Sequence, residues 1–343
     1  MFTGLKRRLR SFVTRNEIPV LTYHGVVSGC LPFNVPYQIS TDSFRSHIEY
    51  LANNFTCVSV RDVHEAVLGK KTLGTACVAI TFDDGFANNY HNALPILSEF
   101  QVPATVFVAA GYIDAPELLW PERAASFLAR TQRTELQLGS SAYRLDSAAT
   151  TAEAYLALTR YFKQFSPAEI QNELDMMIDE HGVSDASRLD QRLHEDFRLL
   201  RRDELDKLAG HGLITIGSHT VNHSRLSRVP VELAKHEIAE SKRTLEKYLG
   251  ETPYFAYPFG GFDADFDDSH VRFVEHCGYS AAFTIDSGGA NENSNAYRIP
   301  RTNIISSVDI DELDYLVCGG VSLANNMSLA TLAKGFVSGV TIQ

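Results

Sequence analysis

Two adjacent acids and two histidines four residues apart are the side chains in this sequence best placed to do chemistry. Thr81-Phe82-Asp83-Asp84-Gly85 closes an apolar run, Cys77-Val78-Ala79-Ile80, and Ser218-His219-Thr220-Val221-Asn222-His223 follows Leu213-Ile214-Thr215. Two carboxylates that close repel if both ionise in a poorly hydrated cleft, and a metal cation is the simplest compensation. If the turn after the strand is helical, His219 and His223 share one face and both imidazoles reach one ion. Asp84, His219 and His223 then form a three-ligand site with an open position for water, as catalytic zinc commonly uses. Asp83 stays free to act as a base. Taken alone, Asp-Asp-Gly is equally an ordinary strand-to-loop turn with both acids in water; the histidine pair at another strand end decides for the metal.

These residues need strands to carry them. Cys77-Val78-Ala79-Ile80 reads as a buried parallel strand, and Pro19-Val20-Leu21-Thr22-Tyr23 as another that ends at His24-Gly25. Strand patterns recur at 55–60, 104–109, 213–217, 254–257 and 280–285. Helical patterns fall between them, after the cap-like Ser40-Thr41-Asp42 with Phe44, Ile48 and Leu51, from about Val63, and at 89–100, 231–249 and 268–277. Repeated β-then-α order implies parallel strands with right-handed crossovers, hence a barrel or an open sheet. In such folds the chemistry sits at the carboxyl ends of the strands. The interval 112–202 breaks the rhythm, with helical patterns at 121–130, 152–165 and 167–181. It is read as a helical insertion forming a lid or one wall of a substrate groove. Trp120 opens it, either as a packing residue or as a platform for a sugar ring.

The two motifs together resemble the first two motifs of the polysaccharide deacetylase family, the NodB homology fold or carbohydrate esterase family 4. Ala256-Tyr257-Pro258-Phe259-Gly260 resembles that family's Pro-aromatic groove motif, and matching segments run in order from about 18 to 303. The resemblance implies an α/β fold, a distorted, incomplete (β/α)7-type barrel carrying the helical insertion. It implies hydrolysis of the N-acetyl amide of an aminosugar with a divalent metal, usually Zn2+, with Ni2+, Co2+ or Mn2+ as alternatives. By the same resemblance Asp83 is the general base, Asp84, His219 and His223 are the metal ligands, and Tyr257, Pro258 and Phe259 line the sugar groove. The backbone N–H of Tyr257 is a candidate donor to the oxyanion, and plain core packing is expected of Phe259 more than of Tyr257.

Two departures from the family pattern matter. Ala256 stands where many members carry the arginine that orients the base, and no histidine follows His276, where many members carry the one that protonates the leaving amine. His24 is the candidate replacement acid, since the Tyr-His-Gly start resembles the branch that deacetylates poly-N-acetylglucosamine; the alternative is a structural histidine. Arg301 is the candidate replacement arginine and is grouped with the substrate-binding residues; Asp286 either orients it or simply ends a strand. The alternative functions are removal of another small acyl group such as formyl, and a catalytically silent glycan-binding module.

The 343 residues suffice for one large domain, and the division expected is a basic N-terminal segment 1–16, a catalytic domain 17–320 and a tail 321–343. A net charge of −11 argues against nucleic acid as a partner. Five scattered cysteines without a CxxC pair suit reduced thiols in the cytoplasm. No secretory signal or membrane-spanning run is legible, so the expected substrate is an N-acylated aminosugar in an oligosaccharide, a lipid-linked glycan or a nucleotide sugar. Phe2, Leu5, Leu9, Phe12 and Val13, interleaved with Lys6, Arg7, Arg8, Arg10 and Arg15, make the N-terminus either a short surface helix or a peripheral contact with the inner face of the membrane.

Overall fold

The computed structural model describes residues 17–318 apart from 75, 115–116, 184–187 and 287, and apart from the side chains of 188–190. The basic N-terminal segment 1–16 and the tail 321–343 lie outside the described residues.

In chain order the strands are β1 (Val20–Tyr23), β2 (Gly25–Val27), β3 (Gln38–Ser40), β4 (Thr56–Val58), β5 (Cys77–Phe82), β6 (Ala104–Val108), β7 (Glu135–Leu138), β8 (Ser141–Arg144), β9 (Ile214–Ser218), β10 (Tyr254–Ala256), β11 (Ala281–Phe283) and β12 (Thr302–Asn303). The helices are α1 (Thr41–Asn54), α2 (Val60–Val67), α3 (Leu94–Glu99), α4 (Trp120–Arg130), α5 (Ala148–Phe162), α6 (Pro167–Glu180), α7 (Arg188–Phe197), α8 (Arg202–Ala209), α9 (Val231–Leu249), α10 (Asp268–His276) and α11 (Ile310–Val317). The strand expected at 55–60 is cut short because Ser59 caps α2, its hydroxyl accepting from Asp62 N–H while Asp62 accepts in return.

The main sheet runs β11-β10-β9-β6-β5-β1-β12, with β4 also on β5. Its pairings are all parallel. Along one edge of β5, β4 covers Cys77–Ala79 and β6 covers Ile80–Phe82, while β1 takes the other edge. Between β11 and β12 the ring is joined through the isolated bridge of Phe283 with Ile299 rather than by paired strands. This is the distorted, incomplete (β/α) barrel that the family resemblance implies, and it decides between the barrel and the open sheet left open by the β-then-α order.

Alternation along β5 divides its side chains. Val78, Ile80 and Phe82 pack outward with Phe44, Ile48 and Leu51 of α1, and Cys77 and Ala79 join an inner cluster with Phe107, Tyr254 and Phe283. Thr81 and Asp83 follow the inner parity, as do Thr22 and His24 of the neighbouring strand, and the Thr22 and Thr81 hydroxyls meet at 3.0 Å inside. Parallel pairing brings His24, Asp83, His219 and Tyr257 to one rim, each one residue beyond its strand.

The insertion spans α4 to α7 and has its own core, in which Phe127, Leu158, Phe162, Leu174 and Phe197 meet Phe33 and Val35. It contains an antiparallel hairpin, β7–β8, that helical periodicity does not predict. Leu136 and Leu138 alternate inward there, and Gly139 turns the chain at φ +59°. Among the described residues no helix is long and apolar enough to cross a membrane.

Candidate active site

Asp83 points into the barrel mouth and is 4 % exposed. Arg301, fully buried, donates to both of its carboxylate oxygens, Nη1 to Oδ1 at 2.7 Å and Nη2 to Oδ2 at 2.8 Å. Nη1 also donates to Thr81 Oγ1 at 3.1 Å and Nε to the Thr284 carbonyl at 3.1 Å. The planar fork is therefore fixed on three sides. Burial opposes ionisation of Asp83, but Arg301 and the nearby imidazoles outweigh it and hold the carboxyl below its ordinary range. Arg301 reaches Asp83 from just before β12, which lies on β1. Its grouping with the substrate-binding residues does not stand, because a fully buried guanidinium with these bonds presents no face to a ligand. Asp286 does not orient it; it accepts from Phe262 N–H at 3.3 Å.

Asp84 departs from strand alternation. Its φ of +74° and that of Gly85, +78°, turn the chain sharply, so neighbouring acids serve different partners. Asp84 Oδ1 lies 3.5 Å from His219 Nε2 and 3.1 Å from His223 Nε2. One ligand atom from each of the three residues fits within a span of 4.8 Å. His219 donates Nδ1–H to the Ala256 carbonyl at 2.8 Å, which leaves Nε2 as the lone-pair nitrogen facing Asp84. Asp84 Oδ1 is buried without a hydrogen-bond partner. A buried carboxylate oxygen and two imidazole nitrogens converging on one point fit a divalent ion of the zinc class. Burial works against the charge on Asp84, yet the His223 and His219 rings beside it hold it well below the usual range.

The histidines converge without a helix. Thr220 and His223 have φ of +63° and +55°, so the segment between them is a tight irregular loop, contrary to the helical turn expected. It is held from both sides. Glu237 of α9, fully buried, accepts from Val221 N–H at 2.9 Å, Asn222 N–H at 2.8 Å and Asn222 Nδ2 at 2.7 Å. The backbone of Ala110 and Gly111 donates to the Thr220 and Val221 carbonyls at 2.9 and 2.8 Å. A Cβ at Gly111 would sit 2.8 Å from that Val221 oxygen, so only glycine permits the approach. Glu237 carries no motif and lies one residue among several acids of an amphipathic helix, which is why sequence reasoning passes over it.

His24 stands across the same mouth, its ring 4.8 Å from that of Tyr37 and its backbone carbonyl accepting from Asn89 Nδ2 at 2.6 Å. Its Nδ1 is buried without a partner. Burial lowers its pKa, with Asp84 and Asp83 pulling the other way. A cavity of about 130 Å³ gathers His24, Asp83, Asp84, His219 and His223, and opens beside a groove of about 570 Å³ under the insertion.

The aromatic motif splits in a way opposite to the expectation. Tyr257 is core: its ring stacks on Phe266 at 3.7 Å and its hydroxyl donates to the Tyr297 carbonyl at 3.1 Å. Its N–H donates to the Phe283 carbonyl at 3.1 Å, which removes it as an oxyanion donor. Pro258 is buried as well and is absent from both cavity walls. Phe259, at φ +62°, turns outward, packs 5.0 Å from the His223 ring and borders both cavities. Trp120 stands edge-on to Phe162 at 5.6 Å and also lines both cavities.

The sequence profile of the family described as polysaccharide deacetylase matches residues 70–282, a span that includes Asp83, Asp84, His219 and His223 but neither His24 nor Arg301. The Bacillus subtilis (strain 168) protein YxkH is 20% identical over 290 residues, 84% of this chain and 71% of that one. The poly-beta-1,6-N-acetyl-D-glucosamine N-deacetylase of Escherichia coli (strain K12) is 34% identical over 80 residues, covering 23% of this chain and 12% of the enzyme. Among solved structures, the Streptococcus pyogenes deacetylase PplD in complex with acetate superposes with a TM-score of 0.56 at 17% identity over 88% of this chain and 98% of that one. IcaB from Ammonifex degensii gives 0.56 at 19% identity over 89% and 98%. The chain belongs to the polysaccharide deacetylase family, hydrolases of carbon–nitrogen bonds other than peptide bonds.

Proposed function

We propose that this chain removes the N-acetyl group of an aminosugar in a metal-dependent hydrolysis. The observation that carries the reading is the division of labour at the end of β5: Asp83 is gripped by Arg301, and Asp84 faces His219 and His223. Asp84, His219 and His223 would hold a divalent ion, Zn2+ by preference, which would supply Lewis acidity toward water and the amide carbonyl. Asp83, ionised and oriented, takes the proton from the attacking water. Arg301 keeps its carboxylate plane fixed through that transfer. An amine leaves only when protonated, and His24 is the imidazole on the cavity wall positioned to deliver a proton to the sugar nitrogen. Phe259 and Trp120 offer apolar faces to the sugar chain.

The test is acetate and formate release from a panel of N-acylated aminosugars, with metal content measured on the same sample. The panel holds oligosaccharides, a nucleotide sugar and a lipid-linked glycan. Release of acetate that disappears in Asp83→Asn, with metal still bound, supports the reading. An Asp83→Asn variant as active as the parent refutes the base, and formate release in place of acetate turns the reading to deformylation.

The precursor substrates go with a cytoplasmic location, and five scattered cysteines without a CxxC pair suit a reducing compartment. Cell fractionation with and without residues 1–16 tests both that location and contact with the membrane through the N-terminus.

A further inference from the structure

One carboxyl on the cavity wall has no part in the reaction above. Glu122, in the first turn of α4, is 4 % exposed and lines the cavity with Asp83, Asp84 and His24. Its Oε1 accepts one long hydrogen bond of 3.5 Å from Gln38 Nε2, and its Oε2 is buried with no partner. Gln38 is itself closely packed: a Cβ on Gly25, the residue after His24, would fall 1.7 Å from Gln38 Oε1. Tyr155, buried, completes this wall. Burial, with the charge of Asp84 adding to it, pushes the Glu122 carboxyl up to about 8. A buried carboxyl with an orphaned oxygen lowers the stability of the free protein, and an apolar side chain of similar size costs less there. A ligand group that bonds the orphaned oxygen removes that cost.

We propose that Glu122 is a specificity-determining substrate contact, its Oε2 hydrogen-bonding a ring hydroxyl of the aminosugar whose acyl group lies at Asp83 and Asp84. The inference rests on the deacetylase reading. A hydroxyl suits this wall because it both donates and accepts, so it pairs with the carboxyl in either protonation state. A site built to bond a hydroxyl rejects analogues that lack it, because the buried protein group is then left unpaired. Glu122 comes from the insertion and not from a barrel strand, so it selects the sugar without holding the reacting atoms.

The experiment uses the best substrate of the panel and its monodeoxy analogues, with parent, Glu122→Leu and Glu122→Gln proteins, each also followed by thermal unfolding. Glu122→Leu is expected to unfold at the parent's temperature or above it, yet to raise KM roughly tenfold. Glu122→Gln keeps a donor and an acceptor and recovers most of that loss. One deoxy analogue is expected to lose about tenfold in kcat/KM on the parent and nothing further on Glu122→Leu, the non-additivity of a direct contact. An unchanged KM in Glu122→Leu, or additive losses with every analogue, overturns the assignment while leaving the deacetylase reading intact. A parent protein that releases acyl groups from no aminosugar overturns both.

Discussion

Arg301 and Asp83 lie 218 residues apart and meet, both buried, through two parallel hydrogen bonds of 2.7 and 2.8 Å. Asp83 stands just past the end of β5 and Arg301 just before β12, so the pair exists only because both segments flank β1.

Removing that partner has a signed consequence. Arg301 lowers the Asp83 pKa, so Arg301→Leu raises it, and the acid limb of the kcat/KM profile moves to higher pH. The buried, unpaired carboxylate also destabilises the fold by about 3–5 kcal/mol. Arg301→Lys keeps the charge and loses the fork, so it is expected to recover stability more than rate. Denaturant unfolding and pH–rate profiles on both variants measure this.

Metal binding is expected to stabilise the chain by mass action. Zinc at a hundredfold excess over Kd adds about 2.7 kcal/mol, read as a rise in Tm that a chelator reverses. His219→Ala and His223→Ala are each expected to abolish that rise and the stoichiometric metal. A zinc-induced rise persisting in both variants rules out this ligand set.

Replacing His24 discriminates between leaving groups. Loss of a proton donor slows amide hydrolysis, whose amine must leave protonated, far more than hydrolysis of an activated aryl ester, whose phenolate leaves unassisted. His24→Ala is expected to lose roughly a hundredfold in kcat on the amide, with a much smaller loss on the ester. Equal losses on both indicate that His24 holds the site together instead.

Acid stability is expected to depend on Glu204. It accepts from Arg198 at 2.7 Å through both oxygens and contacts His91 at 2.7 Å. Arg198 in turn gives its carbonyl to Ala87 N–H just after the Asp-Asp-Gly turn. Against burial, Arg198 and these partners hold Glu204 at about 2. A depressed carboxylate adds stability above its unfolded pKa and loses it as pH falls toward the folded value. The chain should therefore lose on the order of 2 kcal/mol from this group between about pH 5 and 2, and Glu204→Gln should flatten that part of a stability–pH curve.

Much of this protein is determined by local pattern. The apolar run before Asp83 specifies a strand buried on both faces, and the acids and histidines at strand ends identify the rim where chemistry occurs, because parallel strands present their carboxyl ends together. Tertiary structure decided what depends on where chains meet. Alternation puts Asp83 inside, but only the positive φ at Asp84 sends its neighbour to the histidines. Local spacing suggests a helical turn for His219 and His223, whereas Glu237 and the backbone at Gly111 impose an irregular loop. Tyr257 and Phe259 look alike in sequence, yet one stacks on Phe266 and the other faces the cavity. Arg301 is only a candidate in sequence and Glu122 carries no motif at all: their surroundings come from segments distant along the chain, and burial and partnership exist only once those segments pack.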